Sequence, residues 1–156
     1  MRSHNEILAD TDATLAAGAR LGRQLRAGMV FTLSGELGAG KTTLVRGSLR
    51  ELGWQGAVKS PTYTLVEHYA LSSLYFYHFD FYRLTDPDEW ETSGFSDYFR
   101  PDSVCAIEWP DRVGAHLRVR DVEVALAHLE RGRALKLLAH TAAGAACLSA
   151  FAGRSG

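Results

Sequence analysis

The chain has 156 residues, of which 46% are hydrophobic and 22% charged, and its 17 basic and 18 acidic residues leave a net charge of −1. This composition excludes intrinsic disorder as the main state and lacks the basic excess typical of direct nucleic-acid binding. No stretch has the length of a membrane span or the form of a signal peptide, so we expect a cytoplasmic protein without membrane contact. The two cysteines, Cys105 and Cys147, lack the spacing of a disulfide framework or a zinc site.

Strand and helix patterns alternate along the first third of the chain. In order, the sequence predicts a short strand at 4–9, a helix that starts at Thr11 or Asp12, a strand at 29–34 and an amphipathic helix through 44–52. The apolar run at 29–34 is long enough for a buried strand and too short for a helix.

The rest of the chain contains further strand patterns. They predict a hairpin of strands at 64–69 and 75–81, a helix that starts at Asp86, a buried strand at 104–108, and two strands at 119–126 and 134–138. The end of the chain is rich in alanine and glycine and reads either as a weak helix or as a loose tail. We therefore expect one domain over residues 1–140 and a C-terminal tail over residues 141–156.

A glycine-rich segment joins the predicted strand at 29–34 to the following helix. It matches the Walker A pattern, in which backbone N–H groups and a helix N-terminus surround phosphate oxygens. Lysine in this pattern reaches the β- and γ-phosphates, and the following hydroxyl can ligate Mg²⁺. The predicted nucleotide-binding residues of this segment are Gly35, Glu36, Leu37, Gly38, Ala39, Gly40, Lys41 and Thr42.

A phosphate loop needs a carboxylate at the end of a neighbouring strand to hold or orient Mg²⁺. Two residues fit this description, because Asp80 and Glu108 each end an apolar strand pattern. The residues alone leave both as candidates, and an ordinary acidic strand end is the alternative for each.

Some classes of phosphate-loop protein are excluded. The only asparagine is Asn5, so the Asn-Lys-x-Asp guanine reader of GTP-binding switches is absent. Arg100 and Arg112 are too dispersed to indicate the arginine-rich lid that small-molecule kinases usually carry, which weakens that interpretation without excluding it. The histidines, including His68, His78 and His116, show no metal-binding spacing and are interpreted as structural or surface residues.

Four segments in a fixed order carry a more specific signal. They are the Walker A loop, Ser60-Pro61-Thr62-Tyr63-Thr64-Leu65-Val66, His78-Phe79-Asp80-Phe81-Tyr82-Arg83-Leu84 and Ile107-Glu108-Trp109-Pro110. Together they resemble the TsaE (YjeE) family, bacterial P-loop ATPases of tRNA threonylcarbamoyladenosine synthesis. The resemblance implies a single-domain α/β P-loop NTPase with a small mixed β-sheet flanked by helices. It also implies ATP and Mg²⁺ as cofactors.

The resemblance assigns roles to residues near the phosphates. Lys41, Thr42 and Thr43 fall on the family's phosphate loop. Thr42 and Glu108 fall on its Mg²⁺ site, and Asp80 falls on the acid needed for hydrolysis. Lys41 and Asp80 are accordingly two of the expected catalytic residues.

Other residues are assigned around the nucleotide. Thr62, the third expected catalytic residue, falls in a switch-like Ser-Pro-Thr loop near the γ-phosphate, and Trp109 falls in the family's Glu-Trp-Pro segment. Thr11 and Arg133 are further candidates for contacts to the adenine. Where the family commonly has Leu-Pro, this chain has Leu117-Arg118, which puts only the start of the last hairpin in doubt.

The family implies two protein partners, TsaB and TsaD, and contact with tRNA only through them. The expected function is that of an ATP-hydrolysing regulatory subunit that does not itself transfer the threonylcarbamoyl group. Two alternatives stay open: a small P-loop kinase with its own small-molecule acceptor, and a nucleotide-binding scaffold whose hydrolysis is vestigial.

Overall fold

The computed structural model describes residues 2–153, which form a seven-stranded sheet with helices on its faces. The strands are β1 (Ser3–Leu8), β2 (Val30–Ser34), β3 (Val66–Ala70), β4 (Tyr75–Asp80), β5 (Ser103–Glu108), β6 (Val122–His128) and β7 (Arg133–Ala139). The helices are α1 (Thr11–Gln24), α2 (Lys41–Glu51), α3 (Glu89–Thr92) and α4 (Ala142–Gly153). Short 3₁₀ turns cover Phe95–Tyr98, Pro110–Arg112 and Gly114–His116.

The sheet is mixed, with strand order β1-β7-β6-β2-β5-β4-β3. Strand β2 is parallel to both β5 and β6, and β4 is parallel to β5, whereas the β1–β7, β6–β7 and β3–β4 pairs are antiparallel. This arrangement confirms the predicted α/β fold with a small mixed sheet. Because β2, β5 and β4 are adjacent and parallel, their carboxyl ends meet at one edge, where ligands bind in open α/β sheets.

Helices α1 and α2 pack closely because glycines face each other across their contact. A Cβ atom at Gly18 would collide with the Leu44 carbonyl, and one at Gly47 would collide with the Leu15 carbonyl. The buried Ser48 hydroxyl also donates a hydrogen bond to the Gly18 carbonyl at 2.7 Å. Gly47, which costs about 1 kcal/mol relative to alanine within a helix, is therefore needed for this packing.

Two hydrophobic clusters lie on the two faces of the sheet. The first includes Phe31, Leu44, Val124, Leu137 and Leu148, and the second includes Phe79, Phe81, Trp90, Phe95 and Ile107. Alternate residues of β4 and β5 enter different clusters, as the period-2 geometry of strands requires. The phosphate-loop helix α2 lies on the first face.

Residues near the end of the chain form helix α4. The sequence left a weak helix and a loose tail as alternatives, and the structure contains the helix. The Thr141 hydroxyl accepts a hydrogen bond from the Gly144 N–H at 3.0 Å, as an N-cap does. Cys147, Leu148 and Phe151 are buried in the first cluster. Residues 154–156 of the predicted tail lie outside the described residues.

The helix predicted from Asp86 begins later than expected and is short. Its helical residues are Glu89–Thr92 only, and Gly94 follows in the left-handed region at φ 69°. The Asp86 side chain accepts from the Asp88 N–H at 3.0 Å, so the expected capping residue stabilises a turn ahead of the helix. Strand β6 likewise begins at Val122, three residues after the predicted start at 119. Within residues 2–153, no helix has the length and apolar character needed to cross a bilayer.

Candidate nucleotide site at the phosphate loop

The segment between β2 and α2 folds as a tight loop that depends on its glycines. Gly35, Gly38 and Gly40 have φ values of 143°, 78° and 107°, which side-chain-bearing residues rarely adopt. A Cβ at Gly35 would also collide with the Leu126 carbonyl of β6. The space beside Gly38 is open, so the backbone there is accessible to a ligand. The loop thus has the geometry by which Walker A segments surround phosphates.

Lys41, the first residue of α2, turns its ammonium back into this loop. Its Nζ donates to the Gly35 carbonyl at 2.5 Å and lies 4.2 Å from the centroid of the Trp109 ring. Burial lowers the pKa of Lys41, and the nearby carboxylates of Glu108 and Asp80 oppose that effect. The ammonium is therefore held by a carbonyl and a ring face, both of which an incoming phosphate can replace.

Glu108, at the end of β5, faces the first turn of α2. Its Oε2 accepts a hydrogen bond from the Thr42 hydroxyl at 3.3 Å. A carboxylate and a hydroxyl oxygen at this separation are the hard ligands that Mg²⁺ prefers, and in nucleotide sites the remaining ligands come from phosphates and water. No group of three or more His, Cys, Asp or Glu residues that could hold a metal ion occurs within residues 2–153.

Asp80 lies beside Glu108 because the β4–β5 register pairs these two residues. Its Oδ1 accepts from the Tyr82 N–H at 2.9 Å. Burial raises the pKa of Asp80, and the Glu108 carboxylate raises it further, whereas the Tyr82 N–H, His78 and Lys41 act in the opposite direction. The structure thus brings Lys41, Thr42, Asp80 and Glu108 together at one end of the sheet.

The residue after Glu108 adopts a strained backbone. Trp109 has φ 58°, a left-handed conformation that costs a non-glycine residue about 1 kcal/mol or more. This turn lays its ring over the Lys41 ammonium and 5.0 Å from the Tyr82 ring. The strain therefore coincides with a contact to the phosphate-loop lysine.

The loop that carries Thr62 is joined to the end of β4. Leu65, also left-handed at φ 68°, accepts a hydrogen bond from the Asp80 N–H at 3.0 Å. The Thr62 hydroxyl is 2.7 Å from that of Ser60, a contact within its own loop. Tyr63 is 80% exposed, with the Arg83 guanidinium 4.4 Å above its ring. A movement of this loop would therefore reach Asp80 through one backbone hydrogen bond.

Of the two residues assigned to the adenine, Arg133 lies against the phosphate loop. A Cβ at Gly40 would lie 3.2 Å from Arg133 Nε, which is buried without a hydrogen-bond partner among the described residues. Arg133 Nη1 donates to the Thr14 hydroxyl at 3.2 Å. Thr11 is exposed at the start of α1, and its contact to the adenine stays a prediction.

His78 makes a contact that the sequence analysis does not predict. Its interpretation as a structural or surface residue names no partner, and the structure buries it completely with Nε2 2.6 Å from Glu108 Oε2. A signal existed, because His78 precedes Asp80 by two residues and strand alternation puts both on one face. Its partner, however, is 30 residues away in the chain, so only the strand pairing reveals the contact.

A large cavity of about 1170 Å³ lies away from these residues. It is lined by residues at the starts of β2 and β5, including Val30 and Ser103, whereas the phosphate loop follows the end of β2. Pocket size therefore does not locate the nucleotide site here. The phosphate loop is identified by its glycines of positive φ and its charged side chains, because a phosphate cradle is shallow and formed by backbone.

A strand, a glycine-rich loop and a helix, with a carboxylate from the neighbouring parallel strand, form the arrangement that is typical of P-loop proteins. The model of the family "Threonylcarbamoyl adenosine biosynthesis protein TsaE" matches residues 8–135, and the chain belongs to this family.

Relatives named "tRNA threonylcarbamoyladenosine biosynthesis protein TsaE" support this assignment. The protein from Haemophilus influenzae is 50% identical over 123 residues, which cover 79% of this chain and 77% of the relative. That from Mycobacterium leprae is 37% identical over 134 residues, or 81% and 83% of the two chains. The crystal structure of Bacillus subtilis YdiB shares the fold with a TM-score of 0.83, at 24% identity over 97% of this chain and 95% of that one.

Proposed function

We propose that this protein is a Mg²⁺-dependent ATPase that supports the threonylcarbamoyl modification of adenosine in tRNA, and that it acts with TsaB and TsaD. The observation that carries the proposal is the convergence of Lys41, Thr42 and Glu108 on one phosphate loop, with Asp80 beside them. The proposed pathway is inferred from membership of the family, and the proposed ATP hydrolysis is inferred from these side chains.

The phosphate-binding step follows from the loop and Lys41. Backbone N–H groups of residues 35–43, at the N-terminus of α2, bind the β- and γ-phosphate oxygens. The Lys41 ammonium exchanges the Gly35 carbonyl and the Trp109 ring for phosphate oxygens. Burial lowers the pKa of Lys41, which means that part of its hydration is already lost before the ligand arrives.

Thr42 and Glu108 would hold Mg²⁺, whose contribution is to neutralise charge on the β- and γ-phosphates. The Thr42 hydroxyl already meets Glu108 Oε2, so little rearrangement is needed for both oxygens to serve one ion. Asp80 is close to the same position without contacting Thr42, and its raised pKa suits a group that accepts a proton from, or orients, the attacking water.

Contact with tRNA would be indirect in this proposal. The net charge of −1 leaves few phosphates that the surface can neutralise at once, so the isolated protein should bind tRNA no more tightly than ~10⁻⁴ M at physiological salt. A salt titration of tRNA binding measures this directly, and micromolar affinity with a steep salt slope would contradict it. A cytoplasmic location would fit a role in tRNA modification.

Reconstituted tRNA modification with this protein, TsaB and TsaD tests the proposal. We expect sustained modification with hydrolysable ATP and arrest with a non-hydrolysable analogue. ATP consumption that ignores TsaB and TsaD but follows a metabolite would instead support a kinase. Sustained modification by Asp80→Ala protein would support a scaffold.

The Thr62 loop is proposed as the segment that reports the γ-phosphate to the partners. Its link to Asp80 through Leu65 gives a route from the phosphates to the exposed Tyr63. Partner binding should be tighter with ATP than with ADP, and Thr62→Ala should reduce that difference, whereas Thr64→Ala, an exposed hydroxyl two residues on, should not. Equal wild-type affinity for the partners in both nucleotide states would refute the switch.

A further inference from the structure

The Glu108 carboxylate has a buried partner that neither the family assignment nor the phosphate-loop pattern explains. His78 is 0% exposed, and its Nε2 lies 2.6 Å from Glu108 Oε2. At 2.6 Å this is the shorter of the two described contacts to that oxygen, the other being the Thr42 hydroxyl at 3.3 Å. Since a carboxylate oxygen accepts, Nε2–H is the donor.

The geometry of the β4–β5 pair produces this contact. His78 is paired with Ala106, and Asp80 is paired with Glu108. Strand alternation therefore puts His78, Asp80 and Glu108 on one face, and the small Ala106 side chain leaves the imidazole room to lean along the strand toward Glu108. Phe76, on the same face, packs in the hydrophobic cluster under the helices.

The other nitrogen of the His78 ring, Nδ1, makes no hydrogen bond to a described residue, so the contact with Glu108 is the one described hydrogen bond of this side chain. His78 Nδ1 is buried and has no hydrogen-bond partner among the described residues. A buried polar atom without a partner costs free energy, and a leucine or phenylalanine would fill the same space without that cost. The ring is thus oriented by a single hydrogen bond, and that bond is made to the carboxylate beside the phosphate loop.

We propose that His78 is a positioning residue that fixes the Glu108 carboxylate in the orientation needed for Mg²⁺. With Oε2 held by His78 on the side away from the loop, Glu108 keeps its side chain directed toward Thr42. Without His78, the carboxylate is free to turn away from Thr42, and this would remove a metal ligand without changing the contacts of the phosphate loop. This inference rests on the proposed Mg²⁺–ATP function.

Paired substitutions separate hydrogen bonding from packing. His78→Gln keeps an N–H near the Nε2 position, His78→Leu keeps volume without a donor, and His78→Asn keeps polarity but is too short to reach Glu108. The matched control is His140→Leu, because His140 Nε2 makes the same kind of contact to Glu123 Oε1 at 2.8 Å on an exposed part of the sheet.

The measurement is the Mg²⁺ concentration that half-saturates tight ATP binding, followed by Trp109 fluorescence or calorimetry, with nucleotide affinity in EDTA as the reference. His78→Leu and His78→Asn should raise the Mg²⁺ midpoint by roughly tenfold or more, as loss of a ligand-orienting partner does. His78→Gln should stay within about threefold of wild type, and His140→Leu should not change it. Affinity in EDTA should be unchanged in all four.

Each outcome has a definite meaning. If His78→Leu does not fold, the comparison of His78→Gln with His78→Asn still decides, since both are polar and only one reaches Glu108. Equal Mg²⁺ midpoints for His78→Gln and His78→Asn would overturn the proposal that His78 positions Glu108, and would show that His78 contributes only to packing. If the wild type and Glu108→Ala show no Mg²⁺ dependence at all, the proposed function fails instead, and the two failures are thereby distinguished.

Discussion

The two faces of the β4–β5 strand pair have opposite compositions although their residues alternate in the same segments. On the face covered by α2, the pair ends in His78, Asp80 and Glu108, all buried. On the other face, Phe79 and Ile107 join the second hydrophobic cluster, which is rich in aromatic rings. Burial of ionisable groups on the first face, here called the charged face, lowers the stability of the fold. Packing on the second face, here called the aromatic face, raises it and offsets this loss.

The difference has an energetic basis. Buried ionisable groups destabilise a domain unless they are paired, and a raised pKa for Asp80 and a lowered one for Lys41 both show that burial acts against their charged forms. Aromatic pairs on the opposite face stabilise the fold. Phe79 contacts the rings of Phe95 and Phe99 at 6.0 and 5.6 Å, and such pairs add to area burial. Function and stability should therefore be separable by mutation between adjacent positions.

The largest effect on the charged face is expected from Lys41→Ala. It removes the cation that reaches the transferred phosphate, so ATP affinity should fall by roughly 100-fold or more, while the fold is retained. Lys59→Ala, at an exposed position outside the loop, is the control and should leave affinity unchanged. Arginine at position 41 should not restore binding, because its planar fork needs more room than an ammonium. Unchanged affinity of the Lys41→Ala protein in calorimetry would contradict the phosphate-loop assignment.

Substitution of the two neighbouring carboxylates, Glu108 and Asp80, should affect different steps: Mg²⁺-dependent binding in one case and hydrolysis in the other. Glu108→Ala should raise the Mg²⁺ requirement of ATP binding by roughly 100-fold, because it removes a metal ligand. Asp80→Ala should leave ATP affinity nearly unchanged and lower turnover by about 10²- to 10⁴-fold, as loss of a general base does. Parallel measurement of Mg²⁺-dependent binding and single-turnover hydrolysis checks both. Reversed phenotypes would mean that the two roles are exchanged.

Phe79→Leu tests the aromatic face one residue along from His78. It should lower the free energy of unfolding by about 1–2 kcal/mol through lost packing and leave the Mg²⁺ midpoint of ATP binding unchanged. Denaturant unfolding gives the free energy of unfolding, and a binding titration on the same preparation gives the Mg²⁺ midpoint. A shift of the midpoint in this variant would show that the two faces are coupled and that the site depends on general packing.

Sequence patterns were informative where chemistry or local backbone geometry dictates residue type. The phosphate loop requires glycine at 35 and 40, and its strand and helix neighbours have local periodicities, so both could be predicted. Asp80 and Glu108 were identified as strand-end acids for the same reason. Which of them contacts Thr42 depends on the position of β5 next to β2, and no local pattern specifies that order.

Features produced by pairing or helix phase were missed. The bond from His78 to Glu108 needs the β4–β5 register, and the bond from Arg133 to Thr14 joins residues that are 119 positions apart in the chain. The end of the chain was ambiguous because alanine and glycine give opposite helix propensities. Burial of Phe151 and the Thr141 cap decide it in favour of a helix.

The smallest predicted effect concerns the cost of burying Asp80. Its pKa in the folded protein lies above the ordinary value of 3.8, first because of burial and also because of the Glu108 carboxylate. The folded state thus keeps this proton to higher pH than the unfolded state. The stability that Asp80 contributes is fully present below that ordinary value and is lost as pH rises through the folded pKa.

Asp80→Asn should therefore stabilise the nucleotide-free protein at neutral pH while abolishing turnover. Asparagine keeps an oxygen to accept from the Tyr82 N–H and never ionises, although Lys41 loses one neighbouring charge. We expect Tm at pH 7 to rise by on the order of 3 °C and the gain to vanish as the pH falls to about 4. The exposed Asp97→Asn is the control and should shift Tm little at either pH. A lower Tm for Asp80→Asn at pH 7 would mean that the Asp80 carboxylate stabilises the fold through Lys41, and the charged face would then not carry the cost that distinguishes it from the aromatic one.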